Sequence, residues 1–212
     1  MRIGVIDDHA MVVNGLEAAL STVGGMDVVA RGATAAEARA MLDRSDLDVV
    51  LLDVRLEDGN GLQVLADRVG PPTPRVLVIS SFRISQYAAA AARFGAAGFV
   101  LKTVPLPALV EAIEIIAKGG TVFSAEQMHS RFVTLTARER EVLALAMEGF
   151  SNKEIGARLG LHRKTIEAHL SDVFHKYEIR GGRVELSIRA AEEGWLEIQP
   201  PADGQRGGAI RP

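Results

Sequence analysis

Over the first 120 residues, short apolar runs alternate with longer stretches whose apolar positions recur at helical spacing. Ile3–Ile6, Val28–Ala30, Val49–Leu52, Val76–Ile79 and Phe99–Leu101 are aliphatic or β-branched and nearly continuous. Runs of that length suit strands buried on both faces, as in a parallel sheet. Met11–Val23, Ala35–Leu42, Gly61–Val69, Ile84–Phe94 and Pro107–Lys118 carry the helical pattern between them. In the last of these, Leu109, Val110, Ile113, Ile116 and Ala117 form one face, and Lys118-Gly119-Gly120 is a stop signal. Five strands alternating with five helices predict an open, doubly wound α/β domain over residues 1–120. Its parallel sheet is expected in the order 2-1-3-4-5, with ligands at the C-terminal ends of the strands.

Periodicity is weak over residues 121–134, which reads as a linker, and from 135 to 196 the pattern is helical throughout. Thr136-Ala-Arg-Glu139 and Ser151-Asn-Lys-Glu154 are capping boxes, and Phe150 and Ile155 flank the second as a hydrophobic staple. Around Gly160, the apolar Ile155, Leu159, Leu161 and Ile166 fit a helix-turn-helix. Its recognition helix then runs from Arg163 to Lys176. A plain helical bundle has similar spacing, so the pattern alone leaves both open. Close helix crossing needs a small residue at Gly156, where glycine in place of alanine costs about 1 kcal/mol of helix propensity. The tail, residues 197–212, is rich in Gly, Pro and charge and is expected to be disordered.

The composition, 48% hydrophobic and 24% charged over 212 residues, is that of a globular protein. It contains no cysteine, which excludes disulfides, thiolate chemistry and Cys-ligated zinc. Asp7 and Asp8 interrupt the N-terminus too early for a signal peptide, and no apolar run is long enough to span a bilayer. A cytoplasmic protein without membrane partners is the expectation. The net charge of −3 lies in the first 120 residues, with 11 Lys/Arg against 14 Asp/Glu; residues 135–196 carry 10 of each. Phosphate contacts usually supply most non-specific DNA affinity, so a neutral helix-turn-helix must concentrate its cations on one face.

Asp7 and Asp8 follow the first strand, and Asp53 ends the third. With the order 2-1-3-4-5 these strand ends are neighbours, so three carboxylates converge. Such a cluster raises its own pKa values or requires a cation, and hard oxygen ligands suit Mg²⁺. Ser80 and Lys102, at the ends of the fourth and fifth strands, add a hydroxyl and an ammonium suited to phosphoryl oxygens. Taken singly, Asp8 also fits a helix N-cap and Lys102 a solvated lysine. Five such residues at four strand ends are harder to assign to coincidence.

These segments resemble a known family. Val5-Ile-Asp-Asp-His9, Leu51-Leu-Asp-Val-Arg-Leu56 with Asp58-Gly59, Val78-Ile-Ser80 and Gly98-Phe-Val-Leu-Lys102 are similar to the receiver domain of bacterial two-component response regulators. The resemblance implies a flavodoxin-like fold in which Asp53 is the phosphoacceptor. It implies that Asp8, Asp53 and the Arg55 carbonyl hold Mg²⁺, with Asp7 acting mainly through water. Ser80 and Phe99 would form the switch, the hydroxyl turning toward the phosphoryl group and the ring turning inward, and Lys102 would contact phosphoryl oxygens. A carboxylate is a competent nucleophile toward phosphohistidine, and charge stabilisation by Mg²⁺ and Lys102 is the usual means of phosphoryl-transfer catalysis. Such a domain catalyses only its own phosphorylation and dephosphorylation. Three departures stand out. Glu57 replaces a usual proline, which is expected to loosen the loop after Asp53. Thr103-Val104-Pro105 follows the lysine in place of Lys-Pro, and Arg55 and Phe82 occupy positions that govern water's access. A bulky Phe82 is expected to shield phosphoaspartate and prolong its life.

Leu135-Thr-Ala-Arg-Glu-Arg-Glu-Val-Leu143, Gly149-Phe-Ser-Asn-Lys-Glu-Ile155, Leu159-Gly-Leu161 and Thr165-Ile-Glu-Ala-His-Leu170 resemble a LuxR-type DNA-binding domain. Both halves together resemble the NarL/FixJ class of response regulators. By that resemblance Lys153 and Thr165 touch phosphate, and Glu167, Ala168 and Ser171 face bases, the first and last where lysine is common. Glu167 can accept a hydrogen bond from cytosine N4 but repels phosphate. Arg163, Lys164, Lys176, Arg180 and Arg183 remain as backbone contacts, while His169 reads as a packed histidine. Monomer binding is expected to be weak and dimerisation important. The leading reading is a transcription regulator phosphorylated by a partner histidine kinase and binding double-stranded DNA as a homodimer. Phosphorylation would shift the face made by the fourth helix, fifth strand and fifth helix, or free the recognition helix. An Mg²⁺-dependent phosphatase and a phosphorylation-independent binding module are the alternatives; the first gives the helix-turn-helix no role, and the intact pocket argues against the second.

Overall fold

The computed structural model describes residues 1–68, 70, 72–81, 85–125, 127, 134–192 and 195–196. These fall into two compact units, one of described residues up to 127 and one from 134 onward.

In the first unit the elements run β1 (Arg2–Ile6), α1 (Ala10–Ser21), β2 (Asp27–Gly32), α2 (Ala35–Leu42), β3 (Val49–Asp53), β4 (Arg55–Leu56), β5 (Gly59–Asn60), α3 (Gly61–Ala66), β6 (Arg75–Ser80), α4 (Ser85–Arg93), β7 (Gly98–Leu101) and α5 (Leu106–Ala117). The main sheet is parallel in the order β2-β1-β3-β6-β7, the expected 2-1-3-4-5 arrangement. The central strand β3 is buried along its whole length, which is why Val49–Leu52 reads as an unbroken apolar run. Ile3, Val5, Leu51, Leu77 and Ile79 pack with Leu109, Ile113 and Ile116 of α5 in one cluster.

The antiparallel pair β4–β5 has no counterpart in the sequence pattern, because its two-residue strands are too short to show alternation. The sheet also continues past residue 120. Val122 forms a parallel bridge with Gly98, accepting from the Phe99 amide at 2.9 Å and donating to the Ala97 carbonyl at 2.8 Å. The loop after Asp53 is tied rather than loosened by Glu57. Its amide donates to the Ala33 carbonyl at 3.2 Å, a bond proline cannot make. Every described peptide bond is trans.

The second unit consists of α6 (Ala137–Met147), α7 (Asn152–Leu159), α8 (Arg163–Lys176) and α9 (Gly182–Glu192). Thr136 with Glu139 and Ser151 with Glu154 form both expected capping boxes. Val142, Leu143, Ile155, Ile166, Leu170, Val173 and Leu186 make its core, closed by Trp195 stacked on Tyr177 at 3.7 Å. Gly160 ends α7 in the left-handed region at φ 66°, where a side chain would be strained. At Gly156 glycine is required. A Cβ there would stand 2.6 Å from the Leu161 carbonyl oxygen, so alanine does not fit without a backbone shift. Among the described residues no helix is long and apolar enough to cross a membrane.

Candidate functional site

Strand register brings the polar strand ends level. Ile6 lies beside Leu52, Asp53 beside Ile79, and Ser80 beside Leu101, so each chain leaves the sheet at the same edge. Asp7 is fixed by its amide, which donates to the Gly32 carbonyl at 3.0 Å, and Lys102 by its amide on the Ser80 carbonyl at 2.8 Å. Asp7, Asp53 and Ser80 are buried. Lys102 Nζ bridges two of the carboxylates, at 2.6 Å from Asp7 Oδ2 and 2.7 Å from Asp53 Oδ2. The other oxygen of Asp53 accepts from the Val54 amide at 2.8 Å. Asp8 is more exposed and pairs with His9, whose Nδ1 is 2.5 Å away.

Burial pushes the Asp53 carboxyl above its ordinary range; the Lys102 ammonium opposes this and the Asp7 carboxylate adds to it. Burial works to lower Lys102, but hydrogen bonds to Asp53 and Asp7 outweigh it and hold the ammonium above its usual value. Ligand atoms of Asp7, Asp8, His9 and Asp53 all lie within 4.8 Å of one another. Three carboxylates against one ammonium leave an excess of negative charge on hard oxygens, and that donor set fits a divalent cation such as Mg²⁺. His9 was not read from the sequence as part of this cluster; its place directly after Asp7-Asp8 was the available signal.

The remaining expected residues stand around this edge. Arg55 opens β4 and pairs with Asn60. Phe99, on β7, is buried. Phe82 lies outside the described residues. Two further features support the pocket from behind. Asp58 Oδ1 accepts from the Ala35 amide at 2.5 Å, tying the loop to the start of α2. Gly61 lets α3 start against Asp53, because a Cβ there would collide with the Asp53 carbonyl oxygen.

In the second unit, α8 turns Ile166, Leu170 and Val173 inward and leaves Lys164, Ala168 and Ser171 exposed on one stripe. Lys153 is exposed in the first turn of α7, and Thr165 is half-buried in the first turn of α8. Three expected contacts find other partners. Lys176 Nζ sits on both oxygens of the buried Glu139, at 2.8 and 2.6 Å. Arg183 donates to the Phe150 carbonyl at 2.6 Å, and Arg163 Nε to Glu167 Oε1 at 2.6 Å. Arg180 is exposed, and His169 is half-buried rather than packed in the core. Burial works to raise the Glu139 carboxyl, but the Lys176 ammonium and the Thr136 hydrogen bonds prevail and hold it low.

Residues 3–114 match the family model of the response regulator receiver domain, and residues 133–190 that of bacterial regulatory proteins of the luxR family. The chain belongs to the NarL/FixJ class of two-component response regulators. It is 30% identical to the response regulator protein VraR of Staphylococcus aureus, over 93% of this chain and 99% of VraR. It is 27% identical to the transcriptional regulatory protein DegU of Brevibacillus brevis, over 94% of this chain and 96% of DegU. RcsB from Salmonella enterica serovar Typhimurium, solved bound to promoter P1flhDC in the presence of phosphomimetic BeF3-, shares the fold at 22% identity. Its TM-score is 0.67, over 93% of this chain and 98% of RcsB. This response regulator therefore joins a receiver to a LuxR-type DNA-binding domain and regulates transcription.

Proposed function

We propose that a partner histidine kinase phosphorylates this regulator on Asp53, with Mg²⁺, and that the phosphorylated form binds double-stranded DNA as a homodimer in the cytoplasm. The observation that carries the reading is the Lys102 bridge between Asp7 and Asp53. It holds a buried carboxylate beside a cation at the open edge of the sheet, as an in-line acceptor of a phosphoryl group requires. Asp53 Oδ1 is steadied by the Val54 amide while Lys102 remains within reach of the incoming oxygens. Asp8, Asp53 and the Arg55 carbonyl would hold the metal, with Asp7 behind them; the metal would neutralise charge on the transferring group. Ser80 and Phe99, on adjacent strands, are the groups that sense the modification. The receiver catalyses only its own phosphorylation and dephosphorylation.

On the DNA side, Lys153, Lys164 and Thr165 are the phosphate contacts, while Glu167, Ala168 and Ser171 face bases. Val184 and Ile188, one turn apart on α9 and 72% and 51% exposed, offer an apolar strip for a second copy. Related assemblies support this reading, since RcsB has been solved as two dimers bound to two parallel DNAs. Acetyl phosphate with Mg²⁺ tests the receiver chemistry. A mass gain of one phosphoryl group is expected in the wild type and none in Asp53→Asn; equal labelling of both would place the acceptor elsewhere.

A further inference from the structure

At the start of the recognition helix, two side chains expected to touch DNA pair with each other. Arg163 Nε donates to Glu167 Oε1 at 2.6 Å, across one helical turn. The two side chains are 72% and 42% exposed, and among the described residues no other hydrogen bond or ion pair engages Arg163. Helix stability does not explain the pair. Exposed pairs of this kind contribute little. The order is also the less favourable one, with the cation toward the positive end of the helix dipole and the anion on its C-terminal side.

Recognition explains it better. Committing Nε to a carboxylate restrains the guanidinium and leaves its two terminal nitrogens as a fork that nothing else among the described residues engages. That fork matches the O6 and N7 acceptors of guanine, the commonest specific contact in the major groove. Fixing the side chain beforehand reduces the entropy lost on binding, and the pair strengthens as water leaves the groove. The Arg163 charge also offsets Glu167, so the carboxylate no longer simply repels phosphate. We infer that Glu167 is a positioning residue that holds Arg163 for bidentate reading of a guanine edge. This rests on the reading that the second unit binds DNA, and it moves Arg163 from a backbone contact to a base contact.

The full-length, acetyl-phosphate-treated protein is used to select binding sites from a random DNA pool. Each guanine of the enriched site is then replaced in turn by 7-deazaguanine, which lacks the N7 acceptor. One guanine per half-site is expected to be sensitive, weakening wild-type binding about tenfold. Arg163→Ala should lose that sensitivity, and Glu167→Gln should reduce it. The readout is the affinity ratio of guanine to 7-deazaguanine, so any general gain from removing a negative charge cancels. An enriched site with no sensitive guanine overturns the inference, and so does a ratio unchanged in Glu167→Gln. Direct reading of cytosine by Glu167 would give the first of those results, because cytosine N4 is untouched. If no site is enriched, the DNA-binding reading fails and this inference with it.

Discussion

The acidic pocket and the recognition helix hold their functional side chains in opposite ways. In the pocket, Asp7, Asp53 and Ser80 are buried, and strand pairing sets where each leaves the sheet. On α8, Lys164, Ala168 and Ser171 face solvent, while Arg163 and Lys176 on the same helix and Arg183 on α9 have found partners within their own unit. Where backbone register determines an atom's position, the sequence pattern is enough to place the residue. On an exposed helix the side chain selects its partner, as Arg163 does with Glu167.

The sharpest way to break this contrast is within the pocket. Lys102→Met removes the bridging charge but keeps the strand, and phosphorylation by acetyl phosphate is expected to slow about a hundredfold, followed by mass spectrometry. An unchanged rate would mean that the Lys102 bridge is structural only.

Glu139→Gln probes the opposite case, the Lys176 cation held by a carboxylate within its own unit. Loss of the charged hydrogen bonds to Lys176 is expected to lower stability by about 2 kcal/mol in denaturant unfolding at neutral pH. The Glu139 carboxyl is held below its ordinary value, so its contribution is complete above pH 4.5 and fades as pH falls through the depressed value. The wild type and the variant should therefore converge in acid; a difference that widens would reverse the sign.

How far each region could be read in advance follows the same division. The strand order, the five pocket residues and both capping boxes were legible because each depends on local pattern and on neighbouring strand ends. The structural part played by Asp58 was not legible, since its bond to the Ala35 amide joins segments 23 residues apart. The Lys176–Glu139 pair, spanning 37 residues, was invisible for the same reason. The need for a small residue at Gly156 was legible, but helix propensity says nothing about the Leu161 carbonyl that leaves no room even for alanine. Gly156→Ala measures that difference. Propensity alone predicts a gain of about 1 kcal/mol, whereas overpacking against the backbone predicts a net loss of about 1 kcal/mol in thermal unfolding.

The smallest expected effect concerns the loop after Asp53. Glu57→Pro restores the residue usual in the family but removes the donor to Ala33, and a loss of up to about 1 kcal/mol is expected. A stabilised variant would show that the loop is looser than this hydrogen bond implies.

DNA affinity before and after phosphorylation joins the two regions most directly. Binding of the selected site is measured by fluorescence anisotropy for wild type and Asp53→Asn, each with and without acetyl phosphate and Mg²⁺. If Asp53 governs the helix-turn-helix, only the phosphorylated wild type binds more tightly. Equal affinity in all four samples would contradict it.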